Sequence, residues 1–459
     1  MRAQTGTRRR SARLACITAT MALLAAACVG SSASAPPSVP SQPPTPSTSA
    51  SIAASSPAAP VTAAPAAVTP TPKPTATGTP AASAWTTITW APVTVTAAAK
   101  PAAEGVTHQV FGWSKGYVGF TLTPPKSTSA STLPTVVASY SSDGVHWKTG
   151  QTLDPKAAGS QALWVFRTVL EGPAGLVAVG WAGACGDEYV DSLWTSTDGI
   201  AWKPLSVGAA FGANPPEITH ISGGAAGFVA VAYKGAGAWT SKDGRTWTRV
   251  NMKATAFKDA LIDDGSAVSG GYVLGGTTGV PNCAVVIQDP SAKPTPTPVP
   301  RIASAWWSAD GSTWTKEPLP DAHATSERQV VRTVRLTDHM VLLGDEILSA
   351  NTSWWWGSTD GQTWKSLGLP ADFLPESIVS SAQRALVVGI ADPQQGTLSM
   401  RQLRTFNDDF TLADITPAGE VPDVGTLTCY DYGVIAIGPA GVVVTNADGS
   451  RMWFGAASE

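Results

Sequence analysis

The string Ser-x-Asp-Gly-x-x-Trp recurs five times in this chain, and few folds can accommodate that. The copies end at Trp147, Trp202, Trp247, Trp314 and Trp364, often with a further Trp two residues before the Ser. Their aspartates are Asp143, Asp198, Asp243, Asp310 and Asp360, at spacings of 55, 45, 67 and 50. The long interval holds a Pro-rich insertion, Ser291 to Pro300, so the underlying period is about 45 to 50 residues, that of propeller blades and some helical arrays. The local pattern excludes helices. Between the motifs run short β-branched segments opened or punctuated by Gly: Gly175 to Gly180, Gly227 to Ala232, Gly271 to Gly276 and Met340 to Gly344.

One repeat reads as four strands, with the motif on the turn between the third and the fourth. In the second repeat these are Leu163 to Leu170, Leu176 to Trp181, Leu193 to Ser196 and Ala201 to Leu205. Such a sheet cannot bury both faces alone, whereas a closed ring of sheets can. The predicted fold is therefore all-β, a propeller of four-stranded antiparallel blades over residues 85–459. Two weaker copies enter the blade count. Asp448 to Trp453 has one extra residue before its Trp, and Arg404 to Phe410 has Phe in place of Trp. With both, the blades number seven; if the second is only a loop, they number six. Thr86 to Val93 resembles a fourth strand without its turn, and is expected to pair with the last blade and fasten the ring.

The N-terminus reads as an export signal. A basic segment ends at Arg13, an apolar run spans Leu14 to Leu24, and Ala25-Ala26-Ala27-Cys28 follows. Small residues before a Cys resemble the bacterial lipobox, with Leu24 one place early. Residues 1–28 are thus predicted to be a lipoprotein signal, with Cys28 the lipidated residue and a membrane anchor through its acyl chains. Residues 29–84 are Ser, Pro, Thr and Ala with almost no charge, a disordered stalk. The predicted location is the extracytoplasmic side of the cell membrane. Lys+Arg number 30 and Asp+Glu 33, with five arginines ahead of the apolar run. The remainder is mildly acidic, which gives no electrostatic reason to expect nucleic-acid binding.

The repeated motif resembles the Asp-box, or BNR repeat, of sialidases and many other β-propellers. Its commoner form has one more residue before the Trp, as Asp448 to Trp453 does. The resemblance covers the whole region from Trp85 onward and implies a sialidase-like fold; it is a poor guide to function. Each motif residue also has a structural reason of its own. The Asp can accept backbone N–H bonds inside its tight turn. The glycines Gly144, Gly199, Gly244, Gly311 and Gly361 can take the positive φ that other residues resist. The Trp offers a large apolar plate to the neighbouring blade.

Strand alternation puts the Asp-boxes at one end of the ring and the long loops at the other. Function is expected on the loop-rich face. Its richest loop joins Trp181 to Asp187, Glu188 and Tyr189, acids beside aromatics that could hold a sugar or a cation. Cys185 and Cys283 fall in loops of this face and are candidates for a disulfide; Cys429 reads as a buried thiol. The sialidase resemblance implies an arginine triad, a Tyr–Glu nucleophile pair and an Asp acid/base. Arg167, Arg332 and Arg335 lie on predicted inner strands, but on two blades only. Arg301-Ile302-Ala303, the nearest string to the family's Arg-Ile-Pro signature, is mid-domain. No nucleophile pair is legible, and no metal-binding spacing or phosphate loop is present. No catalytic residue, metal or cofactor is therefore assigned. The expectation is a monomeric, non-catalytic binding or scaffolding module that recognises a protein or glycan of the cell envelope. The alternatives are a sialidase-like glycoside hydrolase and an assembly factor for an envelope complex.

Overall fold

The computed structural model describes residues 85–93, 107–125, 133–183, 189–279, 300–325, 329–347, 352–368, 375–392, 397–424, 433–446 and 450–458. The chain divides into two units, Met1–Ala81 and Ala82–Glu459, and all described residues belong to the second. Cys28, Cys185, Asp187, Glu188, Cys283, Cys429 and Asp448 lie outside them, as do the stalk and most of the long loops.

Strand β1 (Thr87–Val93) comes first. A four-stranded antiparallel sheet follows: β2 (Thr107–Trp113), β3 (Gly116–Thr123), β4 (Thr135–Ser141) and β5 (Lys148–Leu153). The second blade is β6 (Val165–Gly172), β7 (Gly175–Ala182), β8 (Tyr189–Ser196) and β9 (Lys203–Leu205). The third is β10 (Ile218–Gly224), β11 (Gly227–Ala232), β12 (Ala238–Ser241) and β13 (Thr248–Arg249). The fourth is β14 (Ala260–Val268), β15 (Gly271–Thr278), β16 (Arg301–Ser308) and β17 (Thr315–Glu317), with a short β18 (Ala324–Thr325) on β16. The fifth is β19 (Gln329–Thr337), β20 (Met340–Ile347), β21 (Thr352–Ser358) and β22 (Lys365–Leu367).

The remaining strands are β23 (Pro375–Ser380), β24 (Ala385–Asp392), β25 (Thr397–Phe406), β26 (Leu412–Gly419), β27 (Ile435–Gly438), β28 (Gly441–Thr445) and β29 (Met452–Ser458). Together with β1 they form one eight-stranded sheet, ordered β23-β24-β25-β26-β1-β29-β28-β27. Its β26–β1 pair is parallel and all its other pairs are antiparallel. The parallel pair divides the sheet into two four-stranded runs. Among the described residues there are thus six hydrogen-bonded sheets, which by blade make seven four-stranded units. The first strands of these units touch one another in the cyclic order β2, β6, β10, β14, β19, β23, β27 and back to β2. The architecture is a β-propeller.

A recurring glycine lets the strands pack this closely. Gly116, Gly175, Gly227 and Gly271 each open the second strand of a blade, and a Cβ there would lie 2.1–2.3 Å from a backbone carbonyl. In each case that carbonyl belongs to the Ser of the blade's Ser-x-Asp-Gly turn.

The seams between blades are filled largely by the third-strand tryptophans. Trp194, Trp306 and Trp356 are at most 1% exposed and Trp239 is 3% exposed. Trp306 Nε1 donates to Ala256 O at 2.7 Å and Trp356 Nε1 to Pro320 O at 2.6 Å. Of the tryptophans that end the motif, Trp202, Trp314 and Trp364 are buried, and Trp147 and Trp247 are half-buried.

The last blade differs from the expected layout. Trp453 sits on β29, the third strand, opposite Val444 of β28. The Asp448–Trp453 string therefore joins second strand to third, not third to fourth. The reason is the closure: β1 supplies the fourth strand, pairing antiparallel with β29 from Thr87↔Ser458 to Val93↔Met452. A blade whose fourth strand comes from the other end of the chain needs no third-to-fourth turn. In the sixth blade, the string ending at Phe410 does lie between third strand and fourth, and Phe410 is buried with φ 69°.

Replacing Trp306 by Ala is expected to destabilise the protein by about 3–5 kcal/mol. The half-buried Trp247 should cost less. Thermal or urea denaturation of the two variants checks the order.

Candidate functional site

The five Ser-x-Asp-Gly turns are closed on themselves. At the third blade, Ser241 Oγ donates to Asp243 Oδ1 at 3.1 Å and accepts from Gly244 N at 2.9 Å. Asp243 Oδ1 accepts the backbone N–H of Arg245 and of Thr246 at 2.8 and 2.7 Å. The same contacts recur at Asp143, Asp198, Asp310 and Asp360. The turn Gly has φ between 70° and 80° in all five. Trp147, Trp247 and Trp314 return their indole N–H to the carbonyl of that Gly.

These bonds hold all five carboxyls below the usual range. At Asp198 and Asp310 the backbone N–H bonds are the largest influence. At Asp143, Asp243 and Asp360 burial is the largest and acts upward, but the hydrogen bonds together outweigh it. In each turn one carboxylate oxygen, Oδ1, is thus committed to the turn's own hydrogen bonds. A lowered folded-state pKa gives stability that is present above the unfolded value of 3.8 and is lost as pH falls below it. Stability should therefore decline as pH falls below about 4, and Asp243→Ala should lessen that decline, as read by circular dichroism at pH 2–7.

The end of the ring away from these turns is different. Four inner strands carry a β-bulge near their start, where one residue has no partner on the second strand. These residues are Arg167 in β6, Thr219 in β10, Asp263 in β14 and Glu376 in β23. A bulge breaks the strict alternation of faces. In β10 and β14 it lets two successive residues reach one space: Thr219 with His220, and Asp263 with Asp264.

That space is a cavity of about 540 Å³ at the channel mouth. Arg167 lines it from the second blade, and His220, Tyr233 and Lys234 from the third. Asp263, Asp264 and Arg301 come from the fourth, and Arg332 from the fifth. Asp264 Oδ1 lies 2.7 Å from His220 Nε2, though off the line that a ring N–H donor needs. The other oxygen, Oδ2, accepts Thr333 N at 3.2 Å. Asp263 Oδ2 accepts Val331 N, also at 3.2 Å. Desolvation pushes the Asp263 carboxyl up from 3.8 to about 6. The Val331 N–H and the charges of Arg332 and Arg301 oppose the rise, while the charge of Asp264 adds to it.

Part of this chemistry serves the ring, since both carboxylates accept N–H groups from β19 of the next blade. Between the first and second blades the same job is done without charge. Gln109 accepts Phe166 N at 2.8 Å and donates to Phe166 O at 2.6 Å. A neutral amide is enough for such a tie, so inter-blade bonding alone does not account for two adjacent carboxylates at the mouth.

Arg167 and Arg332 both line this cavity, and Arg301 joins them from a third blade. Arg335 lies deeper and pairs with Asp338 at 2.7 Å. Trp181 is buried beneath Arg167, whose guanidinium sits 4.4 Å from the ring centre, and Tyr189 pairs with Ala182 on the β7–β8 ladder. Arg301 opens a third strand, and third strands start at the loop-rich end. That signal was available in the sequence. The bulge that turns Asp263 and Asp264 to one cavity was not. Among the described residues, no group of three or more His, Cys, Asp and Glu side chains is placed to hold a metal ion.

No protein-family model matches the chain, and no curated protein is significantly similar to it. Solved structures do resemble it. An α-L-arabinanase from Penicillium chrysogenum, complexed with arabinobiose, aligns at 10% identity over 82% of this chain and 98% of that one, with a TM-score of 0.36. A mutant Trypanosoma rangeli sialidase displaying trans-sialidase activity aligns at 12% identity over 66% of this chain and 52% of that one, with a TM-score of 0.28. A glycosyl hydrolase from Bacteroides ovatus aligns at 11% identity over 57% and 83%, with a TM-score of 0.25. At these scores the likeness is one of architecture.

The expectation of a non-catalytic binding or scaffolding module is corrected. The three structures named above are an arabinanase, a sialidase and a glycosyl hydrolase. The channel mouth, built from bulges that periodicity does not reveal, holds two carboxylates among arginines.

Proposed function

We propose that this protein is a sialidase-like glycoside hydrolase whose active site is the cavity at the loop-rich mouth of the channel. One observation carries the reading: three arginines, a tyrosine and a carboxyl raised to about 6 face a single cavity. Planar guanidinium groups suit a substrate carboxylate, which they can grip with paired N–H bonds. Arg167, Arg301 and Arg332 take that role. Asp263 keeps its proton into the mildly acidic range and serves as the general acid, donating to the departing glycosidic oxygen. Asp264 is the second carboxylate, placed to offset positive charge developing on the sugar ring. The repeated turns are read as Asp-boxes with a structural role. Export, a lipid anchor at Cys28 and a spacer over residues 29–84 complete the proposal and place the enzyme outside the cell membrane. They rest on the basic, apolar and small-residue order of the first 28 residues.

The test is turnover of 4-methylumbelliferyl glycosides, a sialoside and an arabinoside among them. Activity is expected on at least one. Asp263→Asn keeps an oxygen for the Val331 N–H, so it should fold, yet should lose about 10²–10⁴-fold in kcat/KM. Because the pKa is shifted upward, the acid form is present below about pH 6 and is lost above it. The pH profile should fall on that side, with an apparent pKa near 6. No turnover across the panel, or an unaffected Asp263→Asn variant, would remove the proposal.

A further inference from the structure

Five large apolar side chains are exposed among the described residues: Val145, Trp164, Ile200, Tyr233 and Ile302. Val145 and Ile200 occupy the same variable position of two Ser-x-Asp-Gly turns. The other three lie at the opposite end of the ring, on three successive blades. Each stands within three residues of a charged side chain that lines the mouth cavity: Trp164 before Arg167, Tyr233 beside Lys234, and Ile302 beside Arg301.

Trp164 is the most exposed, at 62%. Its backbone is held firmly. Trp164 N donates to Trp181 O at 2.9 Å, which extends the β6–β7 ladder by one residue, and its neighbours Leu163 and Val165 are buried. The Trp164 backbone is thus fixed at the rim, with most of the side chain exposed. Tyr233 is 41% exposed, in a turn whose next residue, Lys234, adopts a left-handed φ of 51°. The Lys234 ammonium lies 4.9 Å from the tyrosine ring centre. Lys is uncommon in that conformation, and such strain tends to be kept where a binding surface uses it.

We infer that this rim is a run of sugar subsites, with Trp164 a positioning residue for a polymeric glycan whose end unit enters the cavity. The inference rests on the glycoside-hydrolase reading and adds the substrate class. The chemistry is specific to chain-like glycans. A pyranose or furanose ring offers an apolar C–H face and a polar rim. Aromatic plates separated by charged donors match that alternation, with an amphipathic ring such as Trp or Tyr taking the apolar face. A protein partner would call for a contiguous apolar patch, whereas here Arg301 and Lys234 break up the apolar surface.

The experiment is native gel electrophoresis of the full chain in gels containing arabinan or polygalacturonate, with kinetics on the same polymers and on aryl glycosides. The wild type is expected to be retarded by at least one polymer. Trp164→Ala should weaken that retention about tenfold, as for truncation of an interface Trp. It should also raise KM for the polymer more than it lowers kcat. Trp164→Phe should restore most of the retention, which a purely structural role would not predict. Equal retention of wild type and Trp164→Ala overturns the inference, and so does a wild type that no polymer slows. If aryl glycosides are turned over in that last case, the hydrolase reading stands and only the subsites fall. If polymer retention depends on Trp164 but nothing is hydrolysed, the hydrolase reading falls instead.

Discussion

Everything in this fold depends on one strand pair, β1 with β29. A propeller is a sheet arrangement without free ends only when its last blade is complete, and here the completing strand comes from the beginning of the domain. Seven residues of β1 pair with seven of β29, from Thr87↔Ser458 to Val93↔Met452. Ile88 and Trp90 are fully or almost fully buried in the same cluster as Trp453 and Ile437. Without this pair the third strand of the last blade becomes an open edge, which is both a loss of hydrogen bonds and an invitation to pair with other chains. The inner ring also relies on side chains that cross from blade to blade: Gln109 to the backbone of β6, Ser222 to Gly265 O, and Asp263 and Asp264 to β19.

Much of this was legible in the sequence because it is periodic. The Ser-x-Asp-Gly turn states its own hydrogen bonds: a short acceptor, a residue able to take positive φ, and a Trp at fixed distance. Five copies give the period, and the period gives the blade. Thr86 to Val93 could be read as a fourth strand lacking its turn. The weaker copy Asp448 to Trp453 misled for the same reason that β1 succeeded. It looks like a third-to-fourth turn, but β1 supplies the fourth strand, and Trp453 pairs as a third-strand residue opposite Val444.

The site was much less legible, because it is made where periodicity fails. Alternation along β14 predicts that Asp263 and Asp264 point to opposite faces, as neighbours on a strand do. The unpaired residue at the bulge cancels that rule, and both line one cavity. Arg301 lies mid-domain in the sequence, yet it lines the same cavity as Arg167 and Arg332. The acid-rich loop after Trp181 drew attention by composition, while Trp181 itself is buried beneath a guanidinium. Repetition made the turns conspicuous and structural, and its interruption marks the candidate chemistry.

The closure has a consequence for how the molecule comes into being. Thr86 bonds to Ser458, 372 positions away. Local hairpins within each blade can form as soon as their residues exist, but the ring cannot shut until the final strand has left the ribosome and any translocation is complete. Until then every nascent chain carries open edges at β1 and β26. Contacts of such long range are slow to form and leave partly folded chains prone to association. Loss of even the last seven residues would remove all but one of the residue pairs between β1 and β29.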